Sequence, residues 1–65
     1  MKTVTIWERQ NNNTKQWEHN HISEGFSEDE VEPEAESPLQ KSSWKGATWR
    51  KTKGILEDGV VRESL

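Results

Sequence analysis

The chain contains no cysteine and no tyrosine, and it has no long run of apolar residues. Because cysteine is absent, neither a disulfide framework nor a thiolate zinc site can form. No apolar stretch is long enough to span a membrane, and residues 1–10 lack the apolar core of a cleaved signal peptide. These absences predict a cytoplasmic protein without a membrane segment.

Catalytic motifs are also missing. No serine lies in a nucleophile elbow, and no glycine-rich loop could hold a phosphate. The only histidines, His19 and His21, would share one face of a regular strand and could chelate a metal, but further ligands are undefined. The favoured interpretation is that both are polar strand residues facing water. We therefore predict that the protein is not an enzyme and uses no cofactor or metal.

Little apolar material is available for a core. Only 28% of the 65 residues are hydrophobic, and the four tryptophans, Trp7, Trp17, Trp44 and Trp49, are the bulkiest of them. A chain of this length buries only about 60% of the surface that its unfolded state exposes. The sequence predicts a single small domain over residues 1–65, whose marginal stability favours binding to a partner or to a second copy of itself.

Two hairpins are predicted from the alternation of residues. Residues 2–9 read as a strand with Val4 and Ile6 on one face and Trp7 on the other. The asparagines of residues 11–13 favour a turn, and residues 14–22 return as a second strand that carries both histidines on one face. Asp58-Gly59 predicts a tight turn between residues 55–56 and 60–61.

A third strand is predicted over residues 42–52. Trp44 and Trp49 are five positions apart, so a regular strand would place them on opposite faces. A bulge at Gly46 would bring both indoles to the same face, and Gly54 would let the chain turn into the second hairpin. The predicted fold is mainly β: a small antiparallel sheet or open barrel built from two hairpins, with an acidic loop or short helix as an insert.

Charge is strongly segregated along the chain. Residues 23–38, the acidic segment, carry seven acids and no base, whereas residues 41–54 carry five bases and no acid. Ser27 and Glu30 could form a capping box for a helix that Pro33 would limit to one or two turns. The favoured interpretation of the acidic segment is a solvated, mobile connection outside the sheet.

Two functions follow as hypotheses. The first is a non-catalytic interaction module that binds another protein as a regulator or inhibitor; its candidate acidic contact residues are Glu28, Asp29, Glu30 and Glu32. The second is a single-stranded nucleic-acid-binding module, in which bases stack on indoles beside cations; its candidate contact surface is Trp44, Lys45, Trp49, Arg50, Lys51 and Lys53. A homodimer is a further possibility, and exposed tryptophans would favour the second function over the first.

The relation between the two charged regions is left open by the sequence. The acidic segment could lie across the basic residues and neutralise them within the fold. Alternatively, the two could form separate faces for two partners. A row of carboxylates could also imitate nucleic-acid phosphates and occupy the basic cleft of a nucleic-acid-binding protein.

Overall fold

A computed structural model describes residues 1–64, which form four strands and one helix. The elements are β1 (Lys2–Gln10), β2 (Trp17–Glu24), α1 (Pro38–Trp44), β3 (Trp49–Glu57) and β4 (Val60–Glu63). All neighbouring strands are antiparallel, and they form one curled sheet in the order β2-β1-β3-β4. The predicted mainly β fold is thus confirmed. No helix within residues 1–64 is long and apolar enough to cross a membrane.

The central strand β1 forms the core. Four consecutive side chains, Val4, Thr5, Ile6 and Trp7, are each no more than 3% exposed. Because side chains alternate along a strand, both faces of the sheet are covered at this point. Val4 and Ile6 lie on what we call the Ile6 face, and Thr5 and Trp7 lie on the Trp7 face, as predicted.

The N-terminal hairpin contains a bulge that the sequence did not reveal. Trp7 lies opposite His21, but Glu8 lies opposite His19, so β2 carries one extra residue, Asn20, at this point. The extra residue changes the alternation, and His19 falls on the Ile6 face while His21 falls on the Trp7 face. The prediction that both histidines share one face is therefore wrong.

The C-terminal hairpin forms where it was predicted. Asp58 and Gly59 both have positive φ angles, 52° and 77°, as a two-residue turn of type I′ requires. Gly54, however, is not a turn residue. It lies inside β3 opposite Val4, and it is buried. The chain passes straight from the basic residues of β3 into the hairpin.

The single helix lies outside the stretch where a short helix was considered. Residues 28–29 form only a turn, in which Glu30 N donates to the Ser27 carbonyl. The helix begins instead at Pro38, because Ser37 caps it by accepting a hydrogen bond from Gln40 N at 3.1 Å, and proline suits the first turn.

The third strand is shorter than predicted. Residues up to Trp44 belong to α1, and a turn with Gly46 at φ 77° leads into β3 at Trp49. Residues 42–48 are therefore helix and turn, and the predicted glycine bulge is wrong.

Residues 25–48 cover the Trp7 face of the sheet. Thr5 Oγ1 donates to the Gly25 carbonyl, and Arg9 Nη2 donates to the Ser43 carbonyl at 3.2 Å. Most side chains between residues 27 and 38 remain exposed, but Pro33 is buried. Ser23 and Glu24 belong to β2, so the part of the acidic segment outside the sheet begins at Gly25.

Candidate functional site

Three of the four tryptophans form one cluster on the Trp7 face. The ring centroids of Trp7 and Trp49 are 6.2 Å apart, and those of Trp44 and Trp49 are 5.3 Å apart. His21 extends the row, with its ring 5.6 Å from that of Trp44. All three contacts are edge-to-face, an arrangement that aromatic pairs prefer. A helix and a turn bring Trp44 next to Trp49, and not the bulged strand that the sequence predicted.

The tryptophans of the cluster differ in burial. Trp7 is buried, and its indole Nε1 donates to Ser23 Oγ at 3.0 Å. Trp49 and Trp44 are each half-buried. Trp49 Nε1 is buried and has no hydrogen-bond partner within residues 1–64. The indoles therefore pack mainly against one another and do not form a row of free flat rings.

The predicted basic contact surface is divided between the two faces of the sheet. Arg50 lies on the Ile6 face, where its Nε donates to Glu8 Oε1 at 2.8 Å and its guanidinium stacks 4.5 Å above the Trp17 ring. Trp49, Lys51 and Lys53 alternate with Arg50 along β3 and lie on the Trp7 face. Six residues that are close in sequence thus do not form one surface.

Lys51 acts as an internal anchor. Its ammonium group donates to the main-chain carbonyls of Ser27 and Glu30. It also lies 5.1 Å from the centroid of the Phe26 ring and 5.9 Å from that of Trp7, within the range of cation–π attraction. The acidic segment is therefore held against the sheet by its backbone and not by its carboxylates.

The carboxylates of the acidic segment face outwards. Glu28, Asp29 and Glu32 are exposed, and Glu30 is half-buried. Within residues 1–64, no carboxylate from residue 28 to residue 36 forms an ion pair; the ion pairs involve Glu8, Glu24 and Glu57. The acidic segment contacts β3 through Lys51, but none of the ion pairs within residues 1–64 joins its carboxylates to the basic residues 41–54, so the hypothesis of internal neutralisation is not supported.

A second charged group lies on the Ile6 face and was missed by sequence reasoning. The Glu8 carboxylate, only 15% exposed, lies between Arg50 and His19, whose Nε2 is 3.5 Å from Glu8 Oε2. Only the register of β1 with both neighbours brings these residues together, and no local pattern signals it. Among residues 1–64, no three His, Asp or Glu side chains are grouped as metal ligands.

An open groove of about 960 Å³ lies between the acidic segment and α1. We call it the Trp44 groove. It is lined by Glu32, Pro33, Glu34, Ala35, Pro38, Lys41, Ser42, Trp44, Lys45 and Gly46. The groove combines one aromatic side chain with charged residues of both signs.

Comparison with protein-family models, with curated proteins and with solved structures found no match for this chain.

Proposed function

We propose that this protein is a non-catalytic module that binds another protein through the outward-facing carboxylates of its acidic segment, as a regulator or an inhibitor. One observation carries the proposal. Lys51 holds the backbone of Ser27 and Glu30, while the neighbouring carboxylates have no cationic partner within residues 1–64. The negative charge is thus presented from an anchored position.

Anchoring matters because binding normally costs the conformational entropy of the segment that becomes ordered. A loop already held at Gly25, Ser27 and Glu30 loses less freedom when a partner binds. A concentrated row of like charge also steers an oppositely charged protein and raises the association rate. The partner that suits this surface is a protein with a basic face, which includes the phosphate-binding cleft of a nucleic-acid-binding protein.

The nucleic-acid hypothesis has less support. Stacking of bases needs exposed ring faces beside free cations. Here Trp49 packs edge-to-face between Trp7 and Trp44, Lys51 bonds main-chain carbonyls, and Arg50 lies on the other face of the sheet. The exposed carboxylates next to this strand would also repel phosphates.

The test uses a neutralised variant with the changes Glu28→Gln, Asp29→Asn, Glu30→Gln and Glu32→Gln. The control removes the same charge outside the acidic segment, with Glu18→Gln, Glu57→Gln, Asp58→Asn and Glu63→Gln. The partner is isolated by affinity capture from host cells and purified, and its association rate with each variant is measured at low and high salt. We expect the first variant to associate about tenfold or more slowly at low salt, and the control to change much less.

Two results would contradict the proposal. Equal effects of the two variants would show that only net charge matters. Tighter binding of short single-stranded oligonucleotides by the neutralised variant would favour the nucleic-acid hypothesis, because the change removes a competitor for the cations.

A further inference from the structure

The Trp44 groove has two charged walls of opposite sign. Glu32 and Glu34 line the side formed by the acidic segment, and Lys41 and Lys45 line the side formed by α1 and its C-terminal end. All four side chains are exposed, and none forms an ion pair within residues 1–64. The two walls face one open space without neutralising each other.

The floor of the groove is apolar. Trp44 is half-buried, Pro33 is buried, and Ala35 and Pro38 add apolar surface beside them. Pockets for small molecules enclose most of the ligand and fall in the range of about 300 to 1,000 Å³. The Trp44 groove, at about 960 Å³, is open to solvent and would not enclose a compact molecule, so a chain segment suits it better.

The charge pattern selects the chemistry of the occupant. A polyanion such as nucleic acid would be repelled by Glu32 and Glu34, and a purely basic peptide would be repelled by Lys41 and Lys45. A ligand that carries both charges can form ion pairs with both walls at once. A polyproline II segment suits this arrangement, because its three residues per turn point in three directions. Every third residue lies on the same side of this helix, so one set of side chains can cover the apolar floor and the other two sets can reach the walls.

We propose that the Trp44 groove binds an extended segment of the partner protein in which apolar, basic and acidic residues alternate. The apolar residues lie over Trp44, the basic ones pair with Glu32 and Glu34, and the acidic ones pair with Lys41 and Lys45. This proposal rests on the proposed function, since it gives the chemistry of one part of the partner.

The probe is the synthetic peptide acetyl-(Pro-Lys-Glu)₃-amide. Its controls are acetyl-(Pro-Gln-Gln)₃-amide, which has the same net charge, and the single-sign peptides acetyl-(Pro-Lys-Lys)₃-amide and acetyl-(Pro-Glu-Glu)₃-amide. Binding is followed by the indole N–H resonance of Trp44, which is assigned from the variant Trp44→Phe. We expect the mixed-charge peptide to bind about tenfold more tightly than the neutral one, because several exposed ion pairs each contribute a small amount.

Charge reversal on one wall makes the test specific. The double variant Glu32→Lys, Glu34→Lys should lose its preference for the mixed peptide and bind the all-glutamate peptide best. The matched control Glu28→Lys, Asp29→Lys changes the charge of the acidic segment equally but lies outside the groove lining, and it should keep the preference. All four positions are exposed, so both variants should fold, which unchanged amide resonances in β1 would verify.

The other outcomes overturn either the groove proposal or the proposed function. Equal binding of mixed and neutral peptides, or shifts that avoid Trp44, would rule out paired walls. Tighter binding of a single-stranded oligothymidylate at Trp44 would make nucleic acid the occupant. If the peptide fails but the isolated partner still depends on Glu28 and Asp29, only the groove proposal falls. If the peptide binds but the partner is insensitive to those residues, the proposed function falls.

Discussion

Gly54 lies in the middle of β3, where any larger side chain would collide with the core. A Cβ atom at this position would lie 2.7 Å from Ile6 Cδ1 and 3.0 Å from the Arg62 carbonyl oxygen. Ile6 can therefore fill the space above β3 only because residue 54 has no side chain. Glycine inside a strand often marks such a close approach.

We predict that Gly54→Ala lowers the free energy of unfolding by about 1 to 3 kcal/mol, the usual cost of overpacking a core. Urea denaturation measures it. Ile6→Val removes the Cδ1 atom, so the double variant should be less destabilised than the sum of the single effects. The rescue should be partial, because Ile6 Cγ1 and the Arg62 carbonyl also lie 3.0 Å from the added atom. Strict additivity would show that the two positions do not compete for space.

At the level of elements, the connection between β2 and α1 is a covering layer without regular structure. Its backbone contacts the sheet through Thr5 and Lys51, and its buried residue is Pro33. Like charges within the acidic segment repel one another, so a cation on the sheet offsets part of that repulsion. Lys51 is this cation. Because its ammonium group bonds carbonyl oxygens and not carboxylates, the carboxylates remain in contact with water.

We predict that Lys51→Met detaches the acidic segment without unfolding the sheet. Methionine keeps the apolar stem but loses the hydrogen bonds to Ser27 and Glu30, so stability should fall by about 1 kcal/mol. Amide hydrogen exchange should accelerate at Glu30 and remain slow in β1.

Lys53→Met is the matched control. Lys53 lies two residues further along β3 on the same face, and its ammonium group forms no hydrogen bond within residues 1–64. Equal acceleration of exchange in both variants would show that the loss of charge, and not the anchor, is responsible.

For the whole molecule, the two edges of the sheet differ in their protection. The edge strand β2 carries the Asn20 bulge and several polar residues. The edge strand β4 has no bulge, no lysine and no proline, and its Val60 and Val61 are 59% and 37% exposed. Although β4 has only four residues and carries Arg62 and Glu63, its outer backbone groups and exposed valines can still pair with another strand.

We predict reversible self-association through β4, visible by sedimentation as the concentration rises from micromolar to millimolar. In an antiparallel pair of β4 strands related by two-fold symmetry, residues of the same face meet. If the two-fold axis lies at Val61, the Val61 side chains of the two strands face each other. An axis at Arg62 would instead place two positive charges opposite each other.

Val61→Lys should therefore abolish the association. Val31→Lys, which changes another exposed apolar residue away from the edge, should preserve it. Sedimentation as a monomer at every concentration would contradict the prediction of a homodimer.

The features that could be predicted from the sequence are those that depend on near neighbours. The alternation of β1, the Asn11–Asn13 turn and the Asp58-Gly59 hairpin each follow from side-chain period or backbone angles, and all are present. The segregation of charge is likewise a property of the chain itself.

Other features depend on contacts between distant residues. The Asn20 bulge, which separates His19 from His21, is set by the pairing of β1 with β2. Arg50 and Lys51 lie on opposite faces because side chains alternate along β3. Their partners could not be predicted, because Arg50 bonds Glu8, 42 residues away, and Lys51 bonds Ser27, 24 residues away.

Gly54 shows the same limit, because its role depends on Ile6 in another strand. Local propensity describes what a segment can form, whereas packing of the sheet selects among those forms. Packing of the sheet determined that residues 42–48 form a helix and turn, which place Trp44 against Trp49. It also determined that Lys51 bonds backbone carbonyls of the acidic segment, while the carboxylates of that segment remain at the surface.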